Sequence, residues 1–166
     1  MDRKQVLQRR KLVYNRIEKE KAIAQAILPF LKGKVALYSP IGSEVNILEY
    51  IDYKEAYFPV CLEDYKMEFY QYTDNPIKGA FDVLEPERIH RIDPKEIDVM
   101  IIPMVGFYKT QRVGYGKGYY DRYLQRCDTL KIGIAFDEQE MEPFEKKETD
   151  INMDMVITPT RILQEK

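Results

Sequence analysis

The sequence predicts a three-layer α/β domain with a mostly parallel sheet, and three observations predict it. Short apolar runs rich in Val and Ile recur along the chain, helical stretches fall between them, and an amphipathic stripe occupies the N-terminal part. Apolar runs of strand length suit strands covered on both faces, and their alternation with helices suits a sheet between helical layers.

Residues 4–32 carry Val6, Val13, Ile17, Ala24, Leu28 and Leu31 at separations of three, four or seven with charges between them. This is the stripe of an N-terminal amphipathic helix, interrupted near Pro29 and ended by Gly33. The pattern then changes to strand candidates: VALYSP (35–40), AYFPV (56–60), VMIIPMVGF (99–107), KIGIAF (131–136) and MVIT (155–158). KMEFYQY (66–72) alternates apolar and polar residues, which places it nearer an edge with one face wet. Between the strands, SEVNILEYI (43–51) is a helix candidate with Ser43 as N-cap, and GYYDRYLQRC (118–127) is a second. With no internal repeat or low-complexity linker, residues 1–166 are expected to form a single domain.

Composition narrows the function. With 26 basic and 28 acidic residues the chain has a formal net charge of -2, so no global field favours a polyanion, and nucleic acid is not an expected partner. The two cysteines, Cys61 and Cys127, lie far apart and outside any CxxC spacing, which argues against a zinc site or a disulfide framework. No stretch has the uninterrupted apolar character of a signal sequence or a membrane span, so the expected location is the cytoplasm. His90 is the single histidine and no GxSxG is present, so covalent catalysis by an activated nucleophile has no evident machinery.

The stretch from Val99 to Cys127 runs strand, loop, glycine cluster, helix. Alternate glycines at Gly114, Gly116 and Gly118 either let a ligand approach the backbone, where helix-entry N–H groups suit an anion and Arg112 and Lys117 add positive charge, or merely satisfy a tight strand-to-helix turn. The loop is not a P-loop, because Gln111 stands where the first glycine belongs and Gly118 follows Lys117; nor does it have dinucleotide-fingerprint spacing. Asp121, beside Arg122, reads either as half of a solvated ion pair or as a magnesium ligand. Asp154 is a candidate second carboxylate and Asp150 its competitor, and spacing alone brings neither to Asp121.

The run IPMVGFYKTQRVGYGKGYYDRYL from Ile102 is similar to the signature of the 5-formyltetrahydrofolate cyclo-ligase family. The resemblance extends to a basic N-terminal segment, an S-x-x-x-x-E-V segment after the first strand, an aromatic before Glu85-Pro86, and D-x-x-x-D ahead of the last strand. It implies an enzyme that uses ATP and Mg2+ to cyclise 5-formyltetrahydrofolate to 5,10-methenyltetrahydrofolate with release of ADP and phosphate. In that chemistry a phosphorylated formyl oxygen becomes a leaving group and N10 attacks the activated carbon.

The resemblance also implies roles. Lys4, Gln8, Arg112, Val113, Gly114, Tyr115, Gly116, Lys117, Gly118, Tyr119 and Tyr120 would line ATP, with Arg112 and Lys117 acting on the phosphates. Gln8 departs from the family pattern, which has arginine there, and Arg9 compensates only in a shifted helix. Asp121 and Asp154 would hold the metal. Glu44 and Phe81 would meet the pterin, with Tyr115, Gly116, Lys117, Gly118 and Tyr119 against the folate. Tyr119 is expected to face the site, with Tyr120 packed behind it. The substrate would be a reduced folate, polyglutamylated or not, and the protein a monomer or homodimer with no membrane partner. The rival readings are a sugar-phosphate isomerase or transferase that uses the glycine loop for a substrate phosphate, and a non-catalytic folate- or nucleotide-binding protein.

Overall fold

The computed structural model describes residues 1–79 and 83–164. In chain order the helices are α1 (Arg3–Lys11), α2 (Arg16–Ile27) and α3 (Tyr119–Leu124). The strands are β1 (Val35–Ala36), β2 (Tyr57–Cys61), β3 (Met67–Gln71), β4 (Ile77–Lys78), β5 (Leu84–Glu85), β6 (Val99–Pro103), β7 (Gly106–Tyr108), β8 (Gln111–Val113), β9 (Leu130–Ile134), β10 (Met155–Ile157) and β11 (Ile162–Gln164).

Seven strands form one sheet in the order β11-β10-β9-β6-β1-β2-β3. The run from β10 to β2 is parallel throughout, and antiparallel β11 and β3 close the two edges. The mostly parallel α/β fold predicted from the apolar runs is therefore the fold observed. Every residue of β6 is buried, and alternate side chains go to opposite faces. Val99 and Ile101 pack with Ile132, Ile134 and Ile157 beneath Ile23, Ala24 and Ile27 of α2. Met100 and Ile102 pack on the other face with Val156, Phe69 and the α3 residues Tyr123 and Leu124. Each apolar run thus serves two cores, the physical reason it lacks polar alternation. The alternating stretch is the edge strand β3, as expected, with Met67 and Phe69 inward.

Three expectations need correction. The stripe over 4–32 is two helices, because Asn15 adopts the left-handed conformation at φ 56° and ψ 45°. Ile17 and Leu28 consequently lie exposed, while Arg10 and Glu20 are buried. Residues 43–51 form no α-helix; only Leu48–Tyr50 make a 3-10 turn. Ser43 caps nothing: its Oγ accepts from Arg10 Nε at 2.8 Å and its carbonyl from Arg16 Nη1 at 3.0 Å. Asn46 N–H donates to the Glu20 carboxylate at 2.7 Å, so tertiary partners take the polar groups a helix would have used. The run 99–107 is split after Pro103, and Gly106–Tyr108 turns away to pair with Gln111–Val113 as a separate hairpin.

The elbow at Asn15 is testable. Asn15→Gly is expected to keep stability within about 0.5 kcal/mol, whereas Asn15→Val should cost about 1–2 kcal/mol, the penalty of left-handed backbone for a residue with a branched Cβ. Urea denaturation of both variants checks it.

Candidate functional site

Parallel strands point their carboxyl ends the same way, and a sheet whose chain leaves a central pair in opposite directions opens a crevice there. β1 and β6 are that pair: β2 and β3 extend to one side, β9, β10 and β11 to the other. A cavity of about 930 Å³ opens at this point, with Tyr38 just beyond β1 and Pro103 at the end of β6 in its wall. Residues 112–122 form much of its lining, with Arg3, Glu44 and the segment around Asp150 completing the opposite parts.

The glycine loop is shaped by its surroundings. Gly116 and Gly118 take φ values of 93° and 77°, conformations that L side chains rarely adopt. At Gly114 a Cβ would lie 2.8 Å from Arg112 Nη1, so glycine leaves the space the guanidinium occupies. Arg112 donates from Nε to the Pro103 carbonyl at 2.8 Å and lies 5.0 Å over the Tyr120 ring. Burial pulls its pKa downward, and Tyr120, Asp121 and Glu44 act in the opposite sense. Lys117 is exposed, with its ammonium 5.6 Å over the Tyr65 ring and its carbonyl accepting from Arg122 Nη1 at 2.7 Å. Since α3 has six residues, few peptide dipoles align there, and the positive charge at the loop comes mainly from these side chains.

Tyr119 and Tyr120 both line the cavity and both pack against the core that holds Tyr123 and Leu124. Tyr123 is buried against Phe69 at 4.9 Å between ring centroids.

Glu44 is 4% exposed and reaches the same cavity. Its Oε1 accepts from Ile41 N–H at 2.8 Å and its Oε2 from the Tyr115 hydroxyl at 3.4 Å. Burial raises its pKa, while the Ile41 hydrogen bond, the Arg10 guanidinium, Tyr115 and Arg112 work against the rise.

The carboxylates do not assemble as the family pattern implied. Asp121 lines the cavity and its Oδ1 accepts from Ile151 N–H at 3.2 Å, which brings the neighbouring Asp150 into the same wall. Asp154 lies at the opposite end of the sheet, before β10, where its Oδ2 accepts from Lys131 N–H at 2.8 Å and pairs with Lys131 Nζ at 3.3 Å. Asp121 and Asp150, not Asp121 and Asp154, share the crevice. Among the described residues no group of three or more His, Cys, Asp or Glu is placed to hold a metal. Two carboxylates beside several cations fit a magnesium ion that draws its remaining ligands from phosphate and water.

On α1, Lys4 and Gln8 are exposed and outside the cavity lining. Helical phase explains this: positions 3, 6 and 10 share the inward face, and 4 and 8 do not. Arg3 lines the cavity and donates from Nε to the Gly114 carbonyl at 2.8 Å, while Arg9 reaches the Glu140 carbonyl instead. Sequence reasoning missed Arg3 and Arg10; the phase set by Val6 was the available signal, and it was blurred by charges on every side of this short helix. Phe81 lies outside the described residues. His90 is exposed and away from the cavity. Burial pushes the Cys61 thiol, in the far wall, up to about 11, so it is neutral near pH 7 and a poor nucleophile.

The sequence model of the 5-formyltetrahydrofolate cyclo-ligase family matches residues 2–159. A 5-formyltetrahydrofolate cyclo-ligase of Mycoplasma pneumoniae is 33% identical, with 93% of this chain and 94% of that protein covered. The enzyme of that name from Mycoplasma genitalium is also 33% identical, over 83% of this chain and 82% of its own. Among solved structures, a 5,10-methenyltetrahydrofolate synthetase of Aquifex aeolicus superposes with a TM-score of 0.82 at 32% identity, covering 98% of this chain and 90% of that one.

A buried carboxyl with a raised pKa is most favourable when protonated, so ionised Glu44 costs folding stability once pH rises through its folded value. Glu44→Gln is therefore expected to melt about 2–4 °C higher than the parent near pH 7. The difference should shrink as pH falls toward the ordinary glutamate value of 4.5. Thermal melts over a pH series check the sign.

Proposed function

The chain belongs to the 5-formyltetrahydrofolate cyclo-ligase family, and on that premise we propose that it cyclises 5-formyltetrahydrofolate to 5,10-methenyltetrahydrofolate with hydrolysis of ATP, with Mg2+, on one domain spanning residues 1–166. The observation that carries the reading is the meeting of Glu44 with the Arg112–Asp121 loop in one cavity at the sheet's switch point.

Magnesium ATP, when bound, supplies the phosphoryl group that turns the formyl oxygen into a leaving group. The protein's task is then to position two ligands and to accommodate charge. Arg112, Lys117 and Arg3, all in the cavity lining, would hold the phosphates. The glycines at 114, 116 and 118 let phosphate oxygens approach main-chain N–H groups. Asp121 and Asp150 would hold the metal; Asp154, tied to Lys131, steadies the start of β10. Glu44 accepts from the 2-amino group and ring N–H of the pterin, because its two oxygens match paired donors. Tyr119 and Tyr120 give the cavity an apolar wall that excludes water from the activated carbon. No protein nucleophile is needed, in keeping with two cysteines whose thiols burial raises to about 11.

Incubation with 5-formyltetrahydrofolate, ATP and magnesium should yield methenyl product and ADP in equal amounts; folded protein without ATP-dependent product would refute the reading. Lys117→Ala should lower kcat/KM about 100-fold by removing a cation from the transferring phosphate, and near-normal turnover would show the loop to be structural. Glu44→Ala should weaken folate binding about 10- to 100-fold with little effect on ATP. Asp150→Asn should raise the magnesium requirement, whereas Asp154→Asn should leave it unchanged and lower stability instead. Magnesium titrations of both variants, read against urea melts, separate the two carboxylates.

A further inference from the structure

Arg10 is a charged side chain, 3% exposed, in the inward face of α1. Its guanidinium donates from Nε to Ser43 Oγ at 2.8 Å, from Nη1 to the Met104 carbonyl at 3.2 Å, and from Nη2 to the Tyr115 hydroxyl at 2.7 Å. It also lies 5.8 Å over the Tyr115 ring. A hydroxyl that accepts from a cation has its own proton left to give, and the Tyr115 hydroxyl directs it to Glu44 Oε2. Burial and the neighbouring Glu44 both raise the Tyr115 pKa, which keeps that proton on the phenol.

We propose that Arg10 and Tyr115 form a positioning relay that orients the Glu44 carboxylate and so sets the cavity's affinity for a ring with adjacent N–H donors. The relay rests on the reading of Glu44 as the pterin acceptor. Glu44 Oε1 is fixed from one side by Ile41 N–H, and Tyr115 fixes Oε2 from the other. Contacted at both oxygens, the carboxylate is restrained in orientation, and each oxygen keeps lone-pair capacity for the ligand. Arg10 ties the phenol to Ser43, to the Met104 carbonyl and to its own helix, so a side chain from an exposed loop becomes a fixed part of a buried pair. Tyr115 is thereby a positioning residue that acts on the folate through Glu44, not on the phosphates through its loop.

The test is a double-mutant cycle with Tyr115→Phe and Glu44→Ala, read by equilibrium titration with 5-formyltetrahydrofolate and by steady-state kinetics in both substrates. Without the Tyr115 hydroxyl Arg10 keeps its bonds to Ser43 and to the Met104 carbonyl, so the fold is expected to persist in Tyr115→Phe, which thermal melting verifies. Tyr115→Phe should weaken folate binding about five- to tenfold, with kcat and the KM for ATP within about twofold of the parent. In the Glu44→Ala background the same change should have no further effect, since the group it orients is gone. An unchanged folate Kd in Tyr115→Phe, alongside weakened binding in Glu44→Ala, overturns the relay and leaves the role of Glu44 standing. An unchanged folate Kd in Glu44→Ala overturns both. An equal loss from Tyr115→Phe in either background, or a matching rise in the KM for ATP, overturns the relay by showing that Tyr115 acts through a contact of its own.

Discussion

Strand β6 constrains everything around it. All five of its residues are buried, and their side chains alternate between two cores. Such a strand is stable only when both faces of the sheet are covered, so α2 on one side and α3 on the other follow from the same five residues. Its main-chain groups are taken by β1 and β9 along the ladder. Polar chemistry is therefore excluded from the middle of the sheet and displaced to the strand ends, where backbone and side-chain groups are free to meet a ligand.

The carboxyl end of β6 is where that displacement becomes useful. Pro103 ends the strand with a carbonyl that Arg112 uses, and one residue later the Met104 carbonyl receives Arg10. The guanidinium of Arg112, which lines the cavity, and that of Arg10, buried beside Tyr115, are thus referenced to adjacent points at the end of the central strand. Arg112 holds the glycine loop at one wall of the cavity; Arg10 brings α1, Ser43 and Tyr115 together around Glu44. Withdrawing a guanidinium from water is costly unless its donors are used, and each of these shapes the crevice by directing its donors to other segments.

Much of the architecture was legible in the chain. Runs such as VMIIP and KIGI are apolar at nearly every position because both faces are covered, and that signal needs no tertiary knowledge. The alternation in KMEFYQY marked the edge strand, and the glycines with Arg112, Lys117 and Asp121 marked the loop that lines the cavity. Less legible were segments whose polar groups are satisfied at a distance. SEVNILEYI has helical spacing, yet Arg10, Arg16 and Glu20 take its hydrogen-bonding groups and hold it out of a helix. The stripe over 4–32 similarly hid an elbow at Asn15, since a left-handed residue leaves no trace in periodicity.

Local pattern and side-chain type were enough to specify six of the seven strands of the main sheet and its two-sided core, whereas β11 and the two small hairpins left no comparable signal. The tertiary structure alone decided which carboxylate accompanies Asp121. Asp150 and Asp154 are four residues apart with similar neighbours, but parallel pairing of β10 with β9 fixes Asp154 against Lys131 at the sheet's amino end. The segment before it, tethered by Ile151 to Asp121, bends back into the cavity. Likewise Arg3 and Arg10 prevailed over Lys4 and Gln8 through helical phase, which is set by how Val6 docks and not by charge.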